Sequence, residues 1–111
     1  MTARATISTH VLDASAGIPA PGVAVTLEHR AGHGEWATAA RGATGSDGRL
    51  RFPAEVDAGE WRLTFGTGEY FEARGTESFY PEVTVTFRVR DGHYHVPLLL
   101  SPFAYSTYRG S

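Results

Sequence analysis

The stretch His93-Tyr94-His95-Val96-Pro97-Leu98-Leu99-Leu100 decides how the rest of this chain is read. In an extended strand successive side chains point to opposite faces, so Tyr94, Val96, Leu98 and Leu100 form one row and His93, His95, Pro97 and Leu99 the other. The first row is apolar enough to feed a core. The second carries two imidazoles, which a purely structural strand has little use for. Downstream, Tyr108-Arg109-Gly110-Ser111 places an aromatic ring, a guanidinium, a hydroxyl and the free carboxylate where most chains thin into small polar residues. Tyr105 and Tyr108 are expected to act as apolar anchors that dock this tail.

Working outward, Val83, Val85, Phe87 and Val89 alternate with polar residues, and Asp91-Gly92 then supplies a two-residue turn signal. A hairpin that makes these last two long strands antiparallel neighbours is the expectation. Trp61, Leu63 and Phe65 give an equally clear period of two, as do Val23, Val25 and Leu27. Arg4 to Asp13, rich in β-branched residues, reads as the first strand, with His10 sharing a face with Thr6, Ser8 and Leu12. Ile18 to Gly22 reads as an irregular connection, Trp36 to Arg41 as a short strand, and Gly42 to Gly48 as a loop that delivers Arg49 to a segment ended by Pro53. Gly68 to Gly75 is long enough for about two helical turns and predicts a short helix. Seven or eight short strands with frequent turns and one brief helix argue for an all-β sandwich.

Composition narrows the function classes. The chain has 111 residues, with 10 Lys+Arg against 12 Asp+Glu. All the basic residues are Arg and they are scattered, so no nucleic-acid footprint is visible. There is no Cys, which excludes disulfides, thiolate metal sites and thiol nucleophiles, and fits a reducing compartment. The N-terminus lacks the apolar run of a signal peptide and no segment is apolar for the length of a membrane span, so a cytoplasmic protein without membrane contact is expected. Length and uniform composition predict one domain over 1–111.

No nucleophile elbow, phosphate loop or His-Glu-x-x-His helix is present, so any chemistry rests on His, Arg, carboxylates and hydroxyls. His10 and His95 are candidates for proton transfer, since imidazole titrates near neutrality; each is equally readable as a half-buried, hydrogen-bonded strand residue. Arg49 beside a Gly-rich loop offers a planar fork to a carbonyl pair or an oxyanion, or is a solvated turn residue. His93 and His95 share a strand face, yet two ligands without a third make no catalytic zinc site, and no metal or cofactor is expected. His29 and His33, beside a loop, are expected to face solvent.

The set His10 in Ser8-Thr9-His10-Val11-Leu12-Asp13, Arg49 in Asp47-Gly48-Arg49, His95 in the final strand and the tetrapeptide Tyr108 to Ser111 resembles the 5-hydroxyisourate hydrolases of the transthyretin-related family. Pro21-Gly22-Val23, Phe79-Tyr80-Pro81-Glu82-Val83 and the run His95 to Pro102 match in the same order. The resemblance implies a sandwich of two four-stranded sheets, a homotetramer with active sites between dimers, and hydrolytic opening of 5-hydroxyisourate to 2-oxo-4-hydroxy-4-carboxy-5-ureidoimidazoline. On that basis His10 and His95 activate water and shuttle protons, Arg49 holds the substrate's oxygens and the developing charge, and Tyr108, Arg109, Gly110 and Ser111 close and shape the pocket. Two alternatives stay open. Transthyretin itself is a carrier of hydrophobic hormones on this fold, and residues 18–65 also resemble prealbumin-like adhesin and carboxypeptidase-associated modules.

Overall fold

The computed structural model describes residues 4–111. Its elements run β1 (Arg4–Asp13), β2 (Ile18–Pro19), β3 (Ala24–Arg30), β4 (Ala37–Ala43), β5 (Arg49–Asp57), β6 (Gly59–Phe65), α1 (Thr67–Ala73), β7 (Val83–Val89), β8 (Gly92–His95), β9 (Leu98–Ser101) and β10 (Ala104–Thr107). One sheet is antiparallel throughout, in the order β4-β3-β6-β7. The other is built on β1. Ser8 of β1 faces Arg51 of β5 on one edge and His95 of β8 on the other, while Leu12 faces Pro19 of β2 and Leu99 of β9. β2 and β5 thus share one lane and β8 and β9 another. With β10 paired to β9, six segments fill four lanes, and the expected pair of four-stranded sheets is what forms.

The alternation read from the sequence is the alternation that packs. Ile7 and Val11 of β1, with Tyr94, Val96, Leu98 and Leu100, meet Val25, Leu27, Leu63, Phe65, Val83 and Val89 in one buried cluster. Side chains on one face of each sheet therefore leave water together, at roughly 25 cal/mol per Å² of apolar surface removed. The odd members of that buried row of β1 are polar. Thr9 donates to Val96 O (2.6 Å), and Asp13 accepts from Ser15, Ala16 and the Tyr70 hydroxyl.

Several local expectations are overturned. Asp91-Gly92 is a corner between sheets and not a hairpin: β7 pairs with β6, and β8 runs parallel to β1. The dipeptide specifies a reversal, with Gly92 at φ +100°, but it does not choose the partner. From Ala5 to Asp13 β1 is half-buried or buried and needs both edges filled. The corner is fastened by Arg90 N–H donating to the Tyr94 hydroxyl (2.8 Å) and Arg4 N–H donating to Asp91 (3.3 Å).

Pro53 does not end its strand either. β5 continues to Asp57 across a register shift opposite Ala5–Ile7, on a sheet edge where the missing N–H costs nothing. Ile18 and Pro19 pair briefly with β1 instead of remaining irregular. Trp36 lies outside β4 with the Arg30 and Arg62 guanidiniums 4.7 and 4.4 Å from its ring. Tyr105 and Tyr108 are 41% and 57% exposed and neither is buried, though Tyr105 meets the Tyr80 ring edge-on at 5.1 Å. The tail is held instead by the β9–β10 ladder and by main-chain bonding further on.

The short helix forms one residue earlier than expected, and it survives its length because Tyr70 and Phe71 are buried against the sandwich. Its link to β1 is the Asp13–Tyr70 bond of 2.9 Å. Burial acts to raise the Asp13 pKa, but the bonds from Ser15, Tyr70 and Ala16 outweigh it and leave the carboxyl below its usual 3.8. Burial and the same partner push the Tyr70 hydroxyl up to about 12. The contribution of Asp13 is therefore present above the ordinary carboxylate value and lost as pH falls through the lowered one. Asp13→Ala removes all these bonds and strands a buried hydroxyl. Urea denaturation should show a loss of about 2–3 kcal/mol at neutral pH, and an unchanged midpoint would contradict this account.

Candidate active site

Register places the site. On the face of β1 turned away from the core stand Thr6, Ser8 and His10. Parallel pairing sets His93 beside Thr6 and His95 beside Ser8, while antiparallel pairing sets Arg51 beside Ser8 and Arg49 beside His10. Residues directly opposite in neighbouring strands share a face. Three histidines, two arginines and two hydroxyls thus gather on one patch from segments as far apart in sequence as β1 and β8.

The turn before β5 fixes the Arg49 end. Gly48 sits at φ +77°, and a Cβ there would lie 2.4 Å from Val11 O, so only glycine lets the turn lie this close to β1. Gly48 O in turn accepts Val11 N–H (2.8 Å). The Asp47 carboxylate accepts Arg49 N–H (3.0 Å), and the Asp47 carbonyl accepts from His10 Nε2 (2.9 Å). A carbonyl only accepts, so neutral His10 carries its proton on Nε2 and leaves Nδ1 basic. The Arg49 side chain is 62% exposed and its Nε stands 3.9 Å from Asp47, a loose pair that leaves the fork available to an anion.

The His95 end is packed by the tail. Gly110 N–H donates to His95 O (2.8 Å), and a Cβ on Gly110 would strike His95 Cδ2 at 2.6 Å. Glycine at 110 is what allows the main chain to lie against the imidazole. Ser8 Oγ bonds both His95 Nδ1 (2.8 Å) and His93 Nε2 (2.9 Å), and Thr6 Oγ1 bonds His93 Nδ1 (2.6 Å). Burial, then the charges of His10, His93 and Arg49, hold the His95 pKa below its ordinary 6.5.

An open cavity of about 480 Å³ is lined by Ser8, Thr9, Asp47, Arg49, Leu50, Arg51, His93, His95 and Ser111. Arg49, His95 and Ser111 thus meet at one cavity, and Gly110 backs it. His10 borders it through Asp47 and does not line it. Tyr108 and Arg109 turn elsewhere, into a second cavity with Val85, Phe87, Tyr94 and Val96, where Arg109 lies 4.5 Å over the Tyr94 ring. Among the described residues no three His, Cys, Asp or Glu side chains gather as a metal site. His29 is not the solvent-facing residue expected, since its ring stacks 4.5 Å from Trp61; His33 is exposed.

Sequence reasoning passed over Ser8, Asp47, Arg51 and the partnership of His93. The polar alternation Thr6/Ser8/His10 was visible, but its meaning depends on which strand lies alongside. Two outcomes follow from this geometry. The His95 ring should titrate by NMR with a midpoint below 6.5; because the unfolded chain then binds more protons, the His95 contribution to stability falls as pH drops through the ordinary histidine value and levels off below the folded one. A midpoint above 6.5 would refute the assignment. Gly110→Ala should erase the nuclear Overhauser contact between residue 110 and the His95 ring while the denaturation midpoint moves little, and a persisting contact would contradict the steric argument.

Comparison with known proteins agrees with this architecture. The profile of the HIUase/Transthyretin family matches residues 7–110. A 5-hydroxyisourate hydrolase of Salmonella typhimurium is 46% identical over 110 residues, covering 95% of this chain and 80% of that protein. The structure of Klebsiella pneumoniae 5-hydroxyisourate hydrolase superposes with a TM-score of 0.85 at 42% identity, over 96% of this chain and 99% of that one. Transthyretin from Sparus aurata gives 0.84 at 32% identity, over 94% and 95%. The match extends through both sheets and the histidine-bearing strands, and the chain belongs to the HIUase/Transthyretin family.

Proposed function

We propose that this protein is an enzyme that hydrolyses 5-hydroxyisourate to 2-oxo-4-hydroxy-4-carboxy-5-ureidoimidazoline, a step in urate degradation. The observation that carries the reading is the cavity itself, where His95, Arg49 and Ser111 converge beside a carbonyl-fixed His10. Its volume, about 480 Å³, suits a small bicyclic ureide. The hormone-carrier alternative is supported less well, because the lining side chains are largely Arg, His, Asp and Ser.

The chemistry follows from the groups present. A ring carbonyl of the substrate is attacked by water, the C–N bond breaks, one water proton goes to the ring nitrogen and the acid product ionises. Neutral imidazole takes the first proton and returns it to the leaving nitrogen, and the lowered pKa of His95 keeps it in the basic form at neutral pH. The Arg49 fork meets the oxygen on which charge gathers. Gly110 and Ser111 wall the cavity, Arg109 holds that wall in place by stacking on Tyr94, and Tyr108 lies beside it in the second cavity.

We further propose a single domain working as a homotetramer with its sites between dimers. The cavity is open on one side in the isolated chain, and β4, β5, β7 and β10 present sheet edges that association would cover. Among the described residues no helix is long and apolar enough to cross a membrane; the cysteine-free composition supports the cytoplasm as the working compartment.

Purified protein added to urate undergoing oxidation should speed the decay of 5-hydroxyisourate absorbance, and decay at the spontaneous rate would end the proposal. His10→Asn, His95→Asn and Arg49→Lys should each lower turnover by about a hundredfold or more while the chain stays folded. Removing Tyr108 to Ser111 should reduce activity far more than thermal stability. Sedimentation at micromolar concentration should give a tetramer, and a monomer would contradict a site shared between subunits.

A further inference from the structure

The hydrogen-bond line Thr6–His93–Ser8–His95 can run in two directions, because a serine hydroxyl both gives one proton and accepts others. In the first, His95 Nδ1–H donates to Ser8 Oγ, Ser8 O–H donates to His93 Nε2, and His93 Nδ1–H donates to Thr6 Oγ1. His95 then has an unprotonated Nε2 and can act as a base. In the second every bond is reversed: Thr6 O–H donates to His93 Nδ1, His93 Nε2–H to Ser8, and Ser8 O–H to His95 Nδ1. The His95 proton is then on Nε2, and no basic nitrogen remains outside the line.

We propose that Ser8 and His93 are positioning residues that hold His95 in its basic tautomer. As long as His93 Nε2 takes the Ser8 proton, the Ser8 oxygen can only accept from His95 Nδ1, and the lone pair of His95 stays on Nε2. The positive Arg49, whose charge bears on His95, favours a lone pair on the nitrogen not bonded to Ser8. The first arrangement also lets His95 become imidazolium after taking a proton from water without losing its bond to Ser8.

The charged groups that face this line are few. On β1 the ionisable residues of that face are Arg4 and His10; from β5 come Arg49 and Arg51, from the preceding turn Asp47, and from the corner before β8 Asp91.

The proposal rests on the hydrolase reading, and its test separates the two. Nitrogen-15 shifts of His95 in the whole protein report the tautomer without any substrate: the Nδ1–H form is expected at neutral pH, a mixture in Ser8→Ala, and a return to Nδ1–H in Ser8→Thr. In the 5-hydroxyisourate assay Ser8→Ala should lower kcat by about tenfold or more with KM within about twofold, the scale of a misdirected base, and Ser8→Thr should recover most of it. His93→Ala, which takes away the acceptor of the Ser8 proton, should also give a mixture of His95 tautomers. Wild-type His95 in the Nε2–H form at neutral pH, or an unchanged kcat in Ser8→Ala, or pure Nδ1–H His95 in His93→Ala, would overturn the proposal. A wild-type protein with no activity would instead sink the hydrolase reading, while the tautomer shifts still decide the line.

Discussion

Parallel pairing between β1, the opening strand of the described chain, and β8, close to its end, is the constraint on which the other arrangements depend. It joins Thr6 to His93 and Ser8 to His95, and it continues through β9 as Val11 to Leu98 and Asp13 to Leu100. Parallel neighbours need a long crossover, and here nearly the whole chain is that crossover. All of the second sheet and the helix are laid down before the last strand returns to fill the free edge of β1. The buried row of each strand then closes the core, and the opposite row forms the site.

Core and site are therefore two faces of the same strands. Ile7 and Val11 look inward because Thr6, Ser8 and His10 look outward; Tyr94 and Val96 look inward because His93 and His95 do not. A period of two makes this coupling rigid, since a slip of one residue in register would bury the imidazoles and expose the leucines. Stability of the sandwich thus enforces the geometry of the polar patch at no separate cost. The two close approaches at Gly48 and Gly110 then trim the patch, bringing the Arg49 turn onto β1 and the tail onto His95.

The polar patch is dense but not metal-like. His93 and His95 are spaced as chelating strand histidines would be, yet three of their four ring nitrogens are engaged by the Thr6 and Ser8 hydroxyls. Hydroxyls are flexible in polarity where a metal is not, since each both gives and accepts a proton. A line of neutral groups that admits two directions is suited to setting which imidazole nitrogen is basic, and Arg49 and His10 across the cavity add the field that biases the choice.

The all-β class, the period-two faces of β1, β3, β6, β7 and β9 and the short helix were legible in the sequence, because alternation and turn residues are local properties that each segment carries by itself; His10, Arg49, His95 and the tail to Ser111 were singled out as a set by the resemblance to the hydrolases. What lies beside what was not. Asp91-Gly92 marks a reversal but gives no sign that β8 will leave β7 and cross to β1. Pro53 marks a disturbed strand but not that a sheet edge tolerates it. Tyr105 and Tyr108 look like anchors from their ring size, yet the tail is fixed by main-chain bonds and by Arg109 on Tyr94. The roles of Ser8, Asp47 and His93 were hidden for the same reason, since each acts through a neighbour distant in sequence. Pairing is chosen by which edges remain open once the two buried faces have met, and that is a property of the whole assembly of strands, decided only in the tertiary structure.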